Sequence, residues 1–321
     1  MTKIIAITGG TGAQGGAVAR AMLKAGWKVR VVARNSGSDK AKELTSQGAE
    51  VVEANLDDED SLVKAFKGAH AIFGVTNFWE HLFTGKTQAE SGTLEAEQSM
   101  KLARAASKTS TLEHYIWSTL PNAKNSSNGK APVPHFDYKA DVDDRIRAEL
   151  PDLAKKTTYL WLGFYPTNLA FFPMVKPIEY PGAYGKWVQM LPTPADALIP
   201  VSGDMNVTPG VWVRQILANP ELSKGKYTMV APEVLSFAEM LKIWSEVTGR
   251  PAVYVECSFE AYEELWGIGG KEIGVQFKYG EVVSDWTKTT SEGFVSMKEL
   301  GITEEEAPGM KKALEGLKAF L

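Results

Sequence analysis

The chain has 321 residues, enough to bury a large core in one large domain or in two of moderate size. Its 44% hydrophobic and 23% charged residues are ordinary for a globular protein, and a net charge of −4 argues against direct nucleic-acid binding. Because no stretch approaches the ~18 uninterrupted apolar residues of a membrane span and no signal-peptide pattern stands at the start, we expect a cytoplasmic protein, or a nuclear one, without a membrane partner.

Strand and helix patterns alternate along the first half of the chain. Short runs rich in apolar and β-branched residues predict strands at 4–8, 28–32, 50–54, 71–75, 114–117 and 157–162. The runs between them predict helices at 13–24, 40–46, 57–66, 88–106 and 137–150. This alternation predicts an α/β fold with a Rossmann-type, doubly wound parallel sheet over residues 1–165.

The pattern changes after Gly163, where prolines become frequent and the alternation weakens. We predict helices at 207–217 and 236–248, strands at 227–230 and 252–257, and mostly short helical pieces beyond. Residues 166–321 are therefore predicted to form a smaller, irregular α+β lobe, with segments returning to the sheet. Open parallel sheets bind ligands at their carboxyl edge, so a lobe packed there would wall a substrate pocket.

Cysteine and histidine suggest little chemistry of their own. The single cysteine, Cys257, excludes an intramolecular disulfide, and its apolar neighbours favour a core residue over a nucleophile. The four histidines lack metal-ligand spacing, so no metal site is predicted.

The glycine stretch at 3–16, KIIAITGGTGAQGG, follows a predicted strand and opens a predicted helix. Gly9 permits a sharp turn, Gly12 lets the backbone approach a pyrophosphate, and Gly15 lets helix and strand pack closely. The pyrophosphate would sit on the free N–H groups of the helix N-terminus. The stretch predicts a dinucleotide site, the alternative being a purely structural turn.

The residues after the second and third strands bear on which dinucleotide binds. An NAD site favours a carboxylate after the second strand, whereas this chain has Ala33 and then Arg34, with no competing acid beside it. An arginine can bind a 2′-phosphate bidentately, which favours NADP(H); the alternative is a solvent-facing arginine. Asn55 or Asp57 could reach the adenine, or Asp57 or Asp58 could cap the next helix.

Five motifs in order resemble the NmrA-like family: GGTGAQGG at 9–16, VVARN at 31–35, GVTNFWE at 74–80, HFDYK at 135–139 and GFYPTN at 163–168. The resemblance covers the chain to about residue 170 and extends loosely beyond it. It implies an atypical short-chain dehydrogenase/reductase fold that binds NADP(H), in a family with both reductases and redox-sensing regulators.

The resemblance also implies roles for individual residues. Thr76 and Asn77 would lie along the cofactor, and Phe78 and Trp79 would approach its nicotinamide end; alternatively, the two aromatic residues form a hydrophobic lid or core. Tyr165 and Asn168 would line the nicotinamide side, unless GFYPTN is only an aromatic turn. The full predicted cofactor-binding set is Gly9, Thr11, Gly12, Ala13, Gln14, Gly15, Arg34, Asn55, Asp57, Thr76, Asn77, Phe78, Lys139, Tyr165 and Asn168.

Lys139 is the strongest candidate for chemistry. Short-chain dehydrogenases place a tyrosine four residues before the lysine on one helix face, but this chain has His135 there. Tyr138 is adjacent to Lys139 and so lies ~100° around the helix. We therefore predict Lys139, His135 and Ser118 as catalytic residues, with Thr119 as the alternative to Ser118. Lys139 could instead form a surface ion pair with Asp143, and His135 could be a loop residue.

Two functions follow. The first is an NADPH-dependent oxidoreductase that reduces a carbonyl or a conjugated C=C of an apolar or aromatic small molecule, supported by Lys139 and the aromatic residues near it. The second is a non-catalytic NADP(H) sensor that regulates a protein partner such as a transcription factor, suggested by the missing tyrosine.

Overall fold

The fold is built on thirteen strands in the part of the chain that the structure, a computed structural model, describes: residues 2–321. The strands are β1 Ile4–Thr8, β2 Lys28–Ala33, β3 Glu50–Glu53, β4 Ala71–Gly74, β5 His114–Thr119, β6 Thr157–Leu162, β7 Ile178–Glu179, β8 Trp187–Leu191, β9 Leu198–Val201, β10 Tyr227–Val230, β11 Glu233–Ser236, β12 Ala252–Glu256 and β13 Phe294–Val295.

Fourteen α-helices, also counted over residues 2–321, connect and cover the strands. They are α1 Ala13–Lys24, α2 Asp39–Ser46, α3 Glu59–Phe66, α4 Phe78–Leu82, α5 Gln88–Ser107, α6 Ala123–Ser126, α7 Pro134–Glu149, α8 Pro151–Ala154, α9 Asn168–Phe171, α10 Thr208–Ala218, α11 Pro220–Ser223, α12 Phe237–Thr248, α13 Phe259–Val282 and α14 Met310–Leu317. None of the helices described is both long and apolar enough to cross a membrane.

The central element is an eight-stranded parallel sheet in the order β13-β10-β6-β5-β4-β1-β2-β3. Chain order reverses between β1 and β4, and such a switch point opens a crevice at the carboxyl ends of the strands. Every residue of β5 and β6 is buried because helices cover both faces of the sheet. This architecture confirms the predicted Rossmann-type sheet.

The hydrophobic core is divided by the sheet into two layers. Successive side chains of a strand point to opposite faces, so Tyr115 and Trp117 belong to one cluster and Ile116 to the other. The first cluster includes residues of α5, α7 and α12, and the second includes residues of α1 and α10. Two further sheets, β7-β8-β12 and β9-β11, lie in the second half of the chain, which also contributes β10 and β13 to the main sheet. The proposed division at residue 165 stays a prediction.

Two predictions about helices need correction. Mostly short helical pieces were expected after residue 257, and α13 spans 24 residues there, although its helical backbone is interrupted at Gly267, where φ is 61°. Glycine has low helix propensity, so the glycines within this segment weaken the sequence pattern that would predict a long helix. The helix expected to begin at residue 137 begins at Pro134, because proline fits the first helical position, where no N–H is needed.

A fully buried carboxylate joins α7 to the sheet. Asp143 accepts hydrogen bonds from Trp117 Nε1 at 2.9 Å and from the Tyr227 hydroxyl at 3.0 Å. Burial raises the pKa of Asp143 to about 7, although the hydrogen bonds and the nearby Arg147 oppose the shift. The folded protein therefore binds a proton at this carboxyl more tightly than the unfolded chain does.

We predict that Asp143→Asn changes how stability depends on pH. Because the pKa is raised on folding, the contribution of Asp143 is fully present below about pH 4 and is lost as the pH rises through about 7. The asparagine has no such loss. The free energy of unfolding is measured by urea denaturation at about pH 5 and about pH 8. Between these two values, the difference between variant and wild type should shift by about 2–3 kcal/mol in favour of the variant.

The control is Asp152→Asn, whose carboxylate is exposed beside Lys155. Its stability should follow that of the wild type across the same pH range. Parallel pH profiles for Asp143→Asn and the wild type would show that Asp143 does not take up a proton on folding.

Candidate functional site

The glycine loop between β1 and α1 forms a cradle at the switch point. Gly9 has φ of 61°, and a Cβ at Gly15 would lie 2.4 Å from the Gly9 carbonyl oxygen, so only glycine allows this approach of helix and strand. Gly12 is the N-cap of α1 and supplies no side-chain cap. The first N–H groups of the helix are therefore left for an anion, which fits a pyrophosphate.

Gln14 links the glycine loop to the carboxyl ends of β5 and β6. Its Nε2 donates to the Tyr165 hydroxyl at 2.6 Å, and its Oε1 accepts from Ser118 Oγ at 2.8 Å. Burial raises the pKa of Tyr165 to about 12, so this hydroxyl stays protonated. The structure thus brings together three predicted site residues, although Ser118 donates to Gln14 rather than to a reacting group.

Lys139 lies buried at the carboxyl end of β4. Its Nζ is 2.9 Å from Thr76 Oγ1 and 2.9 Å from Glu95 Oε1, and it lies 5.1 Å from the centre of the Trp117 ring. Only 10% of the Lys139 side chain and 1% of the Glu95 side chain are exposed. The alternative of a surface ion pair with Asp143 is therefore wrong: Lys139 is buried and pairs with Glu95, whereas Asp143, one turn further along α7, accepts hydrogen bonds from Trp117 and Tyr227.

Glu95 has unused hydrogen-bonding capacity. Its Oε1 also accepts from Thr76 Oγ1 at 2.9 Å, whereas its buried Oε2 has no partner among residues 2–321. An ammonium group has three protons, and two of those on Lys139 are directed to Thr76 and Glu95. One donor of Lys139 therefore remains for a polar group of a bound molecule, whereas Glu95 Oε2 is enclosed within the protein.

His135 lies one turn before Lys139 and is bound on both ring nitrogens. Nδ1 is 2.5 Å from Glu272 Oε1, Nε2 is 3.2 Å from Gln276 Oε1, and the backbone N–H of His135 also donates to Glu272 Oε1 at 2.9 Å. Since Glu272 is an acceptor, Nδ1 carries a proton. The alternative of a loop residue is wrong, because His135 lies within α7 and is 6% exposed.

Glu272 is a site residue that the sequence did not reveal. It is fully buried on α13 and also accepts a hydrogen bond from Gln88 Nε2 at 2.5 Å. Burial alone would raise the pKa of Glu272, but the hydrogen bonds from His135 and Gln88 bring it below its ordinary value. Glu272 is thus a buried anion, 137 residues from its partner His135, and no local pattern links them.

Aromatic rings pack beside the imidazole of His135. The rings of Trp79 and Phe78 lie 5.2 Å and 5.8 Å from the imidazole, and the Phe172 ring lies 5.2 Å from Trp79. Phe78 is 2% exposed, so it is a core residue of this wall. Tyr138 packs on α5, where a Cβ at Gly92 would come within 2.0 Å of its ring.

At the adenine end the structure corrects one prediction. Arg34 was expected to have no competing acid, but its guanidinium pairs with Glu80 of α4. Asn55 accepts from the Asp57 backbone N–H at 3.0 Å, and Asp57 accepts from Gln98 at 3.1 Å, so both are held locally. The cap of α3 is Asp58.

The remaining predicted residues are less constrained. Asn77 is exposed at the N-cap of α4, and Asn168 is half-buried at the start of α9. Thr11 and Ala13 flank Gly12 in the loop. Within residues 2–321, no group of three or more His, Cys, Asp or Glu side chains could hold a metal ion.

A model of the NmrA-like family matches residues 1–300. The chain belongs to the NmrA-like family. A family-domain protein of Dictyostelium discoideum is 29% identical over 262 residues, which cover 79% of this chain and 80% of its own. The NmrA-like family domain-containing oxidoreductase hkm9 of Aspergillus hancockii is 26% identical over 263 residues, covering 78% and 74%.

Structural comparison points the same way. The crystal structure of NmrA, a negative transcriptional regulator, in complex with NADP has a TM-score of 0.76 with this chain at 20% identity, covering 99% of this chain and 96% of that one. At this identity the likeness concerns the fold alone. Fold and family thus agree with the resemblance drawn from the five motifs.

The buried contacts of Glu272 predict that Glu272→Ala is strongly destabilising. The substitution leaves the N–H groups of His135 and the Gln88 amide without their acceptor. We expect the free energy of unfolding, measured by urea denaturation, to fall by about 3 kcal/mol. Glu264→Ala is the control, since Glu264 is exposed on the same helix. Equal, small effects of the two substitutions would contradict a buried network at Glu272.

Proposed function

We propose that this NmrA-like protein binds NADP(H) and is an NADPH-dependent oxidoreductase that reduces a carbonyl or a conjugated C=C of an apolar small molecule. The observation that carries the proposal is the buried Lys139–Glu95–Thr76 cluster at the switch point of the sheet. A buried ion pair is costly to desolvate, and positioning a cation at the cofactor site gives a reason for it.

The cofactor assignment rests on residues at both ends of the crevice. The uncapped N-terminus of α1 suits the pyrophosphate, and Arg34 suits a 2′-phosphate. The remaining N–H of Lys139 would donate a hydrogen bond to a ribose hydroxyl, and Glu95 would hold the ammonium group in place. NADPH supplies a hydride when it is bound.

The substrate class follows from the aromatic wall. Trp79 packs on the buried Phe78 and on Phe172, and Trp79 and Phe172 offer apolar surface beside the region assigned to the nicotinamide. Such a wall suits an apolar or aromatic acceptor, for instance a quinone or an enone. The Aspergillus hancockii relative is named an oxidoreductase, which supports the proposed type of reaction.

Lys139 has a free N–H donor and His135 has none, which favours Lys139 as the group nearest the reaction. Both nitrogens of His135 have partners, so a proton could leave the ring only after a hydrogen bond to Glu272 or Gln276 breaks. Lys139 has a free donor. His135 is therefore proposed to hold the aromatic wall and α13 in position.

We predict that Lys139→Ala lowers turnover at least about tenfold, because the ribose contact and the cation are both lost. The measurement is steady-state NADPH consumption with a panel of quinones, enones and ketones. The exposed Lys155→Ala is the control and should match the wild type. The double variant Lys139→Met Glu95→Gln separates loss of function from the instability of an unpaired Glu95. Wild-type turnover in both Lys139 variants would refute the role of this residue.

A second function is favoured because both ring nitrogens of His135 already have hydrogen-bond partners. No free acid stands at the position of the usual tyrosine, and one protein of the same fold is a negative transcriptional regulator. In this alternative the chain binds NADP(H) without turnover and controls a protein partner.

The second function predicts that the redox form of the cofactor changes association. A partner captured from the native source should bind with affinities that differ at least about threefold between saturating NADP⁺ and NADPH, because a ligand shifts an equilibrium only by its differential affinity. Isothermal titration with the purified partner measures this difference. Equal affinities with both forms and without cofactor would exclude the sensor.

A further inference from the structure

We infer that Glu80 sets the discrimination between phosphorylated and unphosphorylated dinucleotides by competing with the 2′-phosphate for Arg34. The inference rests on the proposed cofactor site and adds a residue to it. Arg34 and Glu80 are ion-paired in the ligand-free chain, with 71% and 44% of their side chains exposed.

The position of this pair in the fold is the first argument. Arg34 directly follows β2, and Glu80 is the third residue of α4, which follows β4. In the sheet, β1 lies between β2 and β4, and the glycine loop leaves the carboxyl end of β1. The ion pair therefore spans the edge of the sheet beside the loop, on the path between the pyrophosphate and the adenosine ribose.

The second argument is the absence of another acid for Arg34 within residues 2–321. Glu53 is at the end of β3, opposite Ala33, but it accepts hydrogen bonds from Ser36 N and Oγ at 3.0 and 2.7 Å. Those hydrogen bonds lower the pKa of Glu53 and keep its carboxylate on Ser36. Glu80 is thus the carboxylate that a 2′-phosphate must displace.

The chemistry of the two cofactors gives the third argument. A 2′-phosphate carries three terminal acceptor oxygens and negative charge, so it attracts the Arg34 guanidinium and is repelled by Glu80. A 2′-hydroxyl is a donor that a carboxylate accepts, as in NAD sites. Glu80 therefore penalises NADP(H) and tolerates or favours NAD(H), whereas Arg34 does the reverse.

The test is a comparison of the wild type with Glu80→Gln by isothermal titration with NADP⁺ and with NAD⁺. Exposed ion pairs are weak, so we expect the Kd for NADP⁺ to fall by about three- to tenfold in the variant. The Kd for NAD⁺ should stay unchanged or rise. The effect on NADP⁺ should shrink at high salt, because screening weakens the competing pair.

Two further variants make the result specific. Glu113→Gln removes the same charge from an exposed ion pair with Lys3, and it should leave the ratio of the two Kd values unchanged. In an Arg34→Gln background, Glu80→Gln should sharpen the preference for NADP⁺ less than in the wild type, since no guanidinium is released and only the direct repulsion by Glu80 is removed.

Each outcome decides the matter. A change in the ratio of Kd values that Glu113→Gln does not reproduce and that is smaller without Arg34 supports the inference, whereas a change of the same size without Arg34 shows that Glu80 does not act through Arg34 and overturns it. An unchanged ratio, or an equal gain for both dinucleotides, overturns it while the proposed function stands. Failure of the wild type to bind either dinucleotide would overturn the proposed function together with the inference.

Discussion

The site depends on the close contact of Gly15 with Gly9. A single Cβ at Gly15 would lie 2.4 Å from the Gly9 carbonyl oxygen, so α1 can begin against β1 only if this side chain is absent. The contact directs the N–H groups of α1 into the crevice at the switch point. It also fixes Gln14, which then reaches both Ser118 and Tyr165 and joins the carboxyl ends of β5 and β6 to the loop.

Helix α7 adds a second constraint. Lys139 and His135 lie one turn apart, and each is paired with a buried glutamate from a different helix: Glu95 on α5 and Glu272 on α13. Buried ion pairs seldom increase stability over apolar packing, so their value here lies in fixing side chains. Because α13 belongs to the second half of the chain, the arrangement ties that half to the cofactor crevice.

Local patterns in the sequence were enough to predict the sheet and its loop. Alternating apolar runs revealed β1 to β6, and glycine spacing revealed the cradle, because both depend on near neighbours. The partners of the charged residues are long-range: Glu80 is 46 residues from Arg34, and Glu272 is 137 from His135. Nothing in the spacing relates such pairs until the chain has folded. The length of helix α13 was not predicted because its glycines have low helix propensity and are typical of loops.

The same constraints explain why one scaffold can support a reductase or a regulator. Hydrogen bonds to Glu272 and Gln276 occupy both nitrogens of His135, so the residue at the usual tyrosine position is held in place and has no free proton. Lys139 keeps one donor free and is held by the buried Glu95. It can bind a ribose whether or not hydride transfer follows. The difference between the two functions therefore lies in the aromatic wall, which must admit a substrate in a reductase and can stay closed in a regulator.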